Sequence, residues 1–112
     1  MASVTVFRGE YDVASRTQLR KQLERMAFDA GVILDFSAVT FIDSTCVTEL
    51  LRLQELRDAN ELDPLTIVVK SKGAIHRLFE VLDLLDRFRV VETLDDAVAK
   101  NGETVRVRYA VI

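Results

Sequence analysis

The hydrophobic positions change period several times along the chain, and each change marks an element. Val4 and Val6 alternate with Ser3, Thr5 and Phe7 ahead of Gly9, which predicts a short strand. Leu19, Leu23, Met26, Ala27 and Ala30 then recur at helical spacing and give one apolar face. The preceding Ser15-Arg-Thr-Gln18 reads as a capping box, and Gly31 stands where a helix C-terminal glycine is expected. Val32-Ile-Leu-Asp-Phe36 is a nearly continuous apolar run, as in a strand covered on both faces. Asp43-Ser-Thr opens a second helix through Val47, Leu50, Leu51, Leu53 and Leu56, with Phe41 and Ile42 expected to anchor the loop before it in the core.

Leu65-Thr-Ile-Val-Val69 predicts another buried strand just after the single proline. Ser71 is expected to cap a third helix carrying Ile75, Leu78, Phe79, Leu82 and Leu85. Phe88 to Val91 reads as a short strand, and Thr93-Leu-Asp-Asp96 starts a fourth helix bearing Leu94, Ala97 and Val98. Strands alternating with helices imply β-α-β units, a largely parallel sheet and right-handed crossovers. The last segment breaks that rhythm. After the turn signal Asn101-Gly102, residues Thr104 to Val111 alternate polar and apolar, as in a strand with one wet face.

Composition narrows the class. At 112 residues the chain has the size of one domain, 1–112, and can bury a core without staples. A formal net charge of −3, with Arg16, Arg20, Lys21 and Glu24 intermixed on one helix, offers no general field for nucleic acid, and none is expected as a partner. The lone Cys46 excludes an internal disulfide and suits a reducing compartment. The first residues lack the basic start and apolar core of a signal peptide, and no apolar run approaches the roughly 18 residues that span a bilayer. The chain is expected to be cytoplasmic, without direct membrane insertion.

Enzymatic machinery is not legible. His76 is the only histidine and reads as a helix-face residue; no His or Cys pair has metal-ligand spacing. Neither a phosphate-loop pattern nor G-x-S-x-G occurs, so neither an enzyme nor a cofactor is expected. The suggestive group is Asp35 with Asp43, Ser44 and Thr45, the last three where a loop enters a helix. Asp, Ser and Thr are favoured there simply as caps. Helix N-termini also present unpaired amides and a partial positive charge, so a phosphoserine in that first turn is expected to be accommodated locally. Its charge of about −1.5 to −2 would change any partner surface.

Residues 32 to 46, from Val32-Ile-Leu-Asp-Phe36 through Phe41-Ile-Asp-Ser-Thr-Cys46, resemble the signature stretch of STAS domains, the anti-sigma-factor-antagonist family. Gly9-Glu-Tyr-Asp12 with Ser15 and Leu19 is similar to the family's Gly-Glu-Leu-Asp motif and first helix. Leu78 to Phe88 and Leu94-Asp-Asp-Ala97 match its third and fourth helices, so the likeness covers roughly residues 3 to 100. The resemblance implies an α/β fold: a STAS-like mixed sheet with a parallel centre, about four helices packed mainly on one side, and here an extra C-terminal strand. It also implies an anti-sigma-factor antagonist. In such proteins the serine after the Asp is phosphorylated by an ATP-binding partner that is both serine kinase and anti-sigma factor. Phosphorylation ends the binding, and a phosphatase resets it. By motif position Ser44 is the phosphoacceptor and Thr45 the fallback, with Asp12, Asp43, Ser44, Thr45, Cys46 and Thr48 in the partner contact.

Two departures accompany the likeness. The family often has Gly where this chain has Cys46, and a second small residue where it has Thr48, which puts side chains where a partner's backbone would approach. Cys46 reads either as a thiol activated near a helix N-terminus or as a small residue facing the core. Only one strand fits before Gly9, where the family usually has an antiparallel pair. The C-terminal strand is expected to pair beside the first, in its own chain or a neighbour's, which leaves a dimer open. These departures motivate a second reading: a non-phosphorylated scaffold of a stress-signalling assembly or an accessory subunit of a membrane transporter. A ligand sensor ranks behind both for want of a pocket signature.

Overall fold

The computed structural model describes residues 2–101 and 105–109. Strand β1 (Ala2–Tyr11) leads through a 3-10 turn (Val13–Ser15) into helix α1 (Arg16–Arg25), followed by β2 (Gly31–Ile42) and α2 (Ser44–Ala59). The second half alternates β3 (Thr66–Val68), α3 (Ala74–Val81), β4 (Arg89–Val91), α4 (Leu94–Asn101) and β5 (Val105–Tyr109). The strands form one sheet in the order β4-β3-β2-β1-β5.

The α/β class and the parallel centre are as the alternation predicts. The edge differs: every described pairing is parallel, β5 on β1 included, so a mixed sheet does not form among the described residues. The reason is the last connection. Helix α4 carries the chain back from β4 across the sheet, and a helical crossover delivers the next strand in the same direction. The strand expected over Thr104 to Val111 is β5 where it is described; Gly102, Thr104, Ala110 and Val111 lie outside the described residues.

Helices α1, α2 and α3 cover one face. Their Leu19, Leu23, Leu50, Leu53, Ile75 and Phe79 close over Phe7, Leu34, Phe36 and Ile67 of the strands. Helix α4 covers the other face, where Ala97 with Leu94 and Val98 packs on Val4, Ile33, Val68 and Val91. The inner halves of β1 and β2, buried from Ala2 to Thr5 and from Gly31 to Phe36, are therefore covered on both sides. Strand β2 meets this with apolar residues on each face, whereas β1 turns Ser3 and Thr5 toward the segment after α1, where they bond Asp29 and Met26.

Several local signals resolve differently from their sequence reading. Gly9 does not end β1; it sits at φ 84 inside the strand, beside register shifts against β2. A left-handed glycine at such an irregularity lets the strand bend and continue. Ser15 makes no side-chain cap. Its place is taken by Asp12, whose carboxylate accepts from the amides of Ala14 and Ser15. Gly31 opens β2 rather than stopping α1, which ends at Arg25, and Gly73 rather than Ser71 precedes α3.

The turn after α1 is fastened by Arg57 of α2, which is fully buried. Its guanidinium donates to the carbonyls of Ala27, Asp29 and Ala30 at 2.8–3.2 Å, and its Nε to that of Asp63 at 2.9 Å. Four carbonyls of the segments between helix and strand are paired by one planar fork.

Candidate functional site

Strands β1 and β2 end side by side, with Tyr11 opposite Ile42. The residue after each strand is an aspartate that caps the next helical turn. Asp43 is extended (φ −89, ψ 171), and its Oδ1 accepts from the amides of Thr45 at 3.0 Å and Cys46 at 3.1 Å. Asp12 does the same for the turn leading into α1, accepting from Ala14 at 3.0 Å and Ser15 at 3.2 Å. Two bonds lock the caps together: the Asp43 amide donates to the Tyr11 carbonyl at 3.0 Å, and the Cys46 thiol to the Asp12 carbonyl at 3.3 Å. Two aspartates far apart in the chain thus form one acidic edge, because parallel strands put their carboxyl ends on the same side. Phe7, Tyr11 and Phe36 support this edge from beneath, with ring centroids 4.9–6.4 Å apart.

Ser44 is the first residue of α2 and is exposed. Its neighbours' hydroxyls are committed. Thr45 Oγ1 donates to Asp43 Oδ1 at 2.6 Å, and Thr48 Oγ1 donates to the Ser44 carbonyl at 3.0 Å. No side-chain bond is described for Ser44. The structure therefore brings Asp12, Asp43, Ser44, Thr45 and Thr48 to one surface. Cys46 lies beneath it, fully buried, and is not available for partner contact. Of the two readings open for the cysteine, core packing is the one realised. Asp35 stands apart from the group; its Oδ1 accepts from the Ser37 amide and hydroxyl at 3.0 and 2.7 Å, at the register shift of β2 between Asp35 and Ala38.

The electrostatics reflect these partners. The Thr45 hydroxyl, with the amides of Cys46 and Thr45, holds the Asp43 carboxyl below its usual range. Burial, reinforced by the Asp43 charge, pushes the Cys46 thiol up to about 11, so it is not an activated nucleophile. The expected local accommodation of a phosphate at Ser44 is not supported. The amides of the first turn that would receive it are taken by the Asp43 carboxylate, and a phosphate there would add its charge to two aspartates.

Two exposed apolar residues close in the chain to the capping aspartates were not foreseen from the sequence. Val13, directly after Asp12, is 66% exposed. Phe41, expected in the core with Ile42, is 47% exposed, while Ile42 is buried. The register explains the reversal. Gly9 faces Val39 and Glu10 faces Phe41, so Thr40 is an extra residue on β2 that turns Phe41 outward. Where a strand is covered on one face only, as β2 is at this end, two adjacent apolar residues cannot both face the core.

A concavity of about 360 Å³ lies between the outer half of β2 and the start of α3, beside Lys70 and Ser37. It does not include Ser44. Among the described residues no group of three or more His, Cys, Asp or Glu could hold a metal, and no helix is long and apolar enough to cross a membrane.

The family model for the STAS domain matches residues 2–97. No curated protein matches the chain. Among solved structures, an anti-sigma factor antagonist from Mycobacterium paratuberculosis aligns with a TM-score of 0.71 at 22% identity, covering 89% of this chain and 86% of that one. The anti-sigma factor antagonist SpoIIAA in its unphosphorylated form aligns with a TM-score of 0.63 at 15% identity, covering 88% of each chain. At such identities the likeness is one of fold.

Proposed function

The chain belongs to the STAS domain family, and from that premise we propose that it is a cytoplasmic anti-sigma factor antagonist, a non-enzymatic binding module switched by phosphorylation of Ser44. The observation that carries the reading is the state of three hydroxyls at one helix start. Ser44 is exposed without a described side-chain bond, whereas Thr45 and Thr48 are already donating. Ser44 is thus the best-presented acceptor on this surface, and Thr45 remains the fallback. In the unmodified state the exposed Val13, next to Asp12, offers apolar contact beside a modest acidic centre of Asp12 and Asp43. A phosphate on Ser44 would add about −1.5 to −2 beside those carboxylates and repel a partner suited to the unmodified surface. The partner would be an ATP-binding anti-sigma factor acting as serine kinase, with a phosphatase to reverse the step.

The test is incubation with such a kinase and ATP, read by intact mass and site mapping on the wild type, Ser44→Ala and Thr45→Val. One phosphate on the wild type and on Thr45→Val, absent from Ser44→Ala, with loss of the binary complex on phosphorylation, is the expected result. An unmodified wild type that still binds the kinase, or modification elsewhere, overturns it. One observation favours a constitutive scaffold instead: β5 lies beyond the matched residues 2–97. Recovery from native cells in a large assembly, without phosphate, would select that reading.

A further inference from the structure

Away from Ser44, helices α1 and α2 meet around a carboxylate. The Glu49 side chain is only 1% exposed, and Arg20 grips it with Nε 3.0 Å from each carboxylate oxygen and Nη2 at 2.9 Å. Arg52 approaches at 3.2 Å and Arg16 at 3.5 Å. A buried ionic cluster is a poor means of stabilising a helix pair, since well-packed apolar residues commonly do as well. What it does supply is fixed orientation. The side chains of Arg16, Arg20 and Arg52 remain 37%, 38% and 54% exposed while anchored from below. Alongside runs a shallow groove of about 100 Å³ whose apolar lining includes Ala27, Leu53 and Leu56. Leu56 is itself 39% exposed, and Phe28, next to Ala27, is 64% exposed.

We propose that this α1–α2 face docks an acidic amphipathic segment of a partner protein, with carboxylates on the arginines and an apolar row in the groove. Charge complementarity selects the occupant. Three arginines against Glu49 and Glu24 leave the face one positive charge, on a chain whose formal charge is −3. Preset guanidinium forks suit carboxylates. Nucleic acid is the weaker fit, because no aromatic ring lines the groove for base stacking.

The test is fluorescence anisotropy with a labelled helical peptide bearing Glu and Leu on one face. A Lys-for-Glu version and a single-stranded RNA serve as competing probes. The Arg16→Gln/Arg52→Gln double variant keeps the Arg20–Glu49 pair, and its fold is checked by thermal melting. The Glu–Leu peptide should saturate the wild type, weaken with salt and lose roughly tenfold on the double variant. Leu56→Ser should also weaken it, and Ser44→Asp should not, which separates this face from the switch. No saturable binding, unchanged affinity on both variants, or preference for the Lys peptide or RNA overturns the proposal.

Discussion

At the scale of single residues, chemistry at this site depends on which side chains already have partners. Ser44, Thr45 and Cys46 are consecutive nucleophile types, and the sequence ranks them only by motif position. The Asp43 carboxylate separates them by accepting from the Thr45 hydroxyl and the Cys46 amide while leaving Ser44 outside its reach of bonds. For Cys46 the consequence is measurable. With burial pushing its thiol up to about 11, the neutral form persists across pH 7 to 9. Native alkylation should be far slower than in denaturant and should accelerate only as pH nears that value. Native labelling as fast as that of the unfolded chain would mean an accessible thiolate. The identities of the site residues were legible from the sequence. Their exposure was not, as Phe41 and Cys46 show: one apolar residue lies at the surface, and one motif residue lies beneath it.

At the scale of elements, helix α2 does more than present Ser44, because its far end ties down the turn after α1. Arg57→Met removes the donors of four carbonyl bonds at once. Unpaired buried carbonyls cost about 1–3 kcal/mol each, although relaxation admits some water, so a loss of about 3 kcal/mol is expected in urea unfolding. Arg57→Lys should recover only part of it, since an ammonium cannot span acceptors on both sides. A neutral Arg57→Met would show that the turn holds without the fork. Helix and strand cores were readable from period alone, whereas terminators were not. Gly9 reads as a break and is a bend within β1. Gly31 reads as a helix stop and begins β2. A glycine permits a left-handed or extended backbone, and only its neighbours in the sheet decide which use is made of it.

At the scale of the whole molecule, the long return from β4 places β5 against β1, over pairs from Ala2–Val105 to Val6–Tyr109. That strand converts β1 from an edge into an interior strand and leaves β5 and the short β4 as the outer ones. Deleting residues 103–112 should lower the melting temperature and expose the β1 ladder, whose free groups template pairing with another chain. Self-association on light scattering, with a lower melting temperature, is the expected result. A monodisperse truncation as stable as the full chain would show that β5 adds nothing.

Local periodicity depends on near neighbours, so the sequence by itself determined the alternating α/β class and the helix that opens at Asp43-Ser-Thr, while which residue caps each helix was left to the structure. The succession of motifs carried the family resemblance for the same reason. Long-range pairing was left to the tertiary structure. It decided that β5 runs parallel to β1, that Asp12 stands beside Asp43, that Phe41 turns outward and that three arginines share one buried glutamate. Each of these depends on strand register or helix contact between segments far apart in the chain, and a one-residue shift in register reverses which face a side chain occupies.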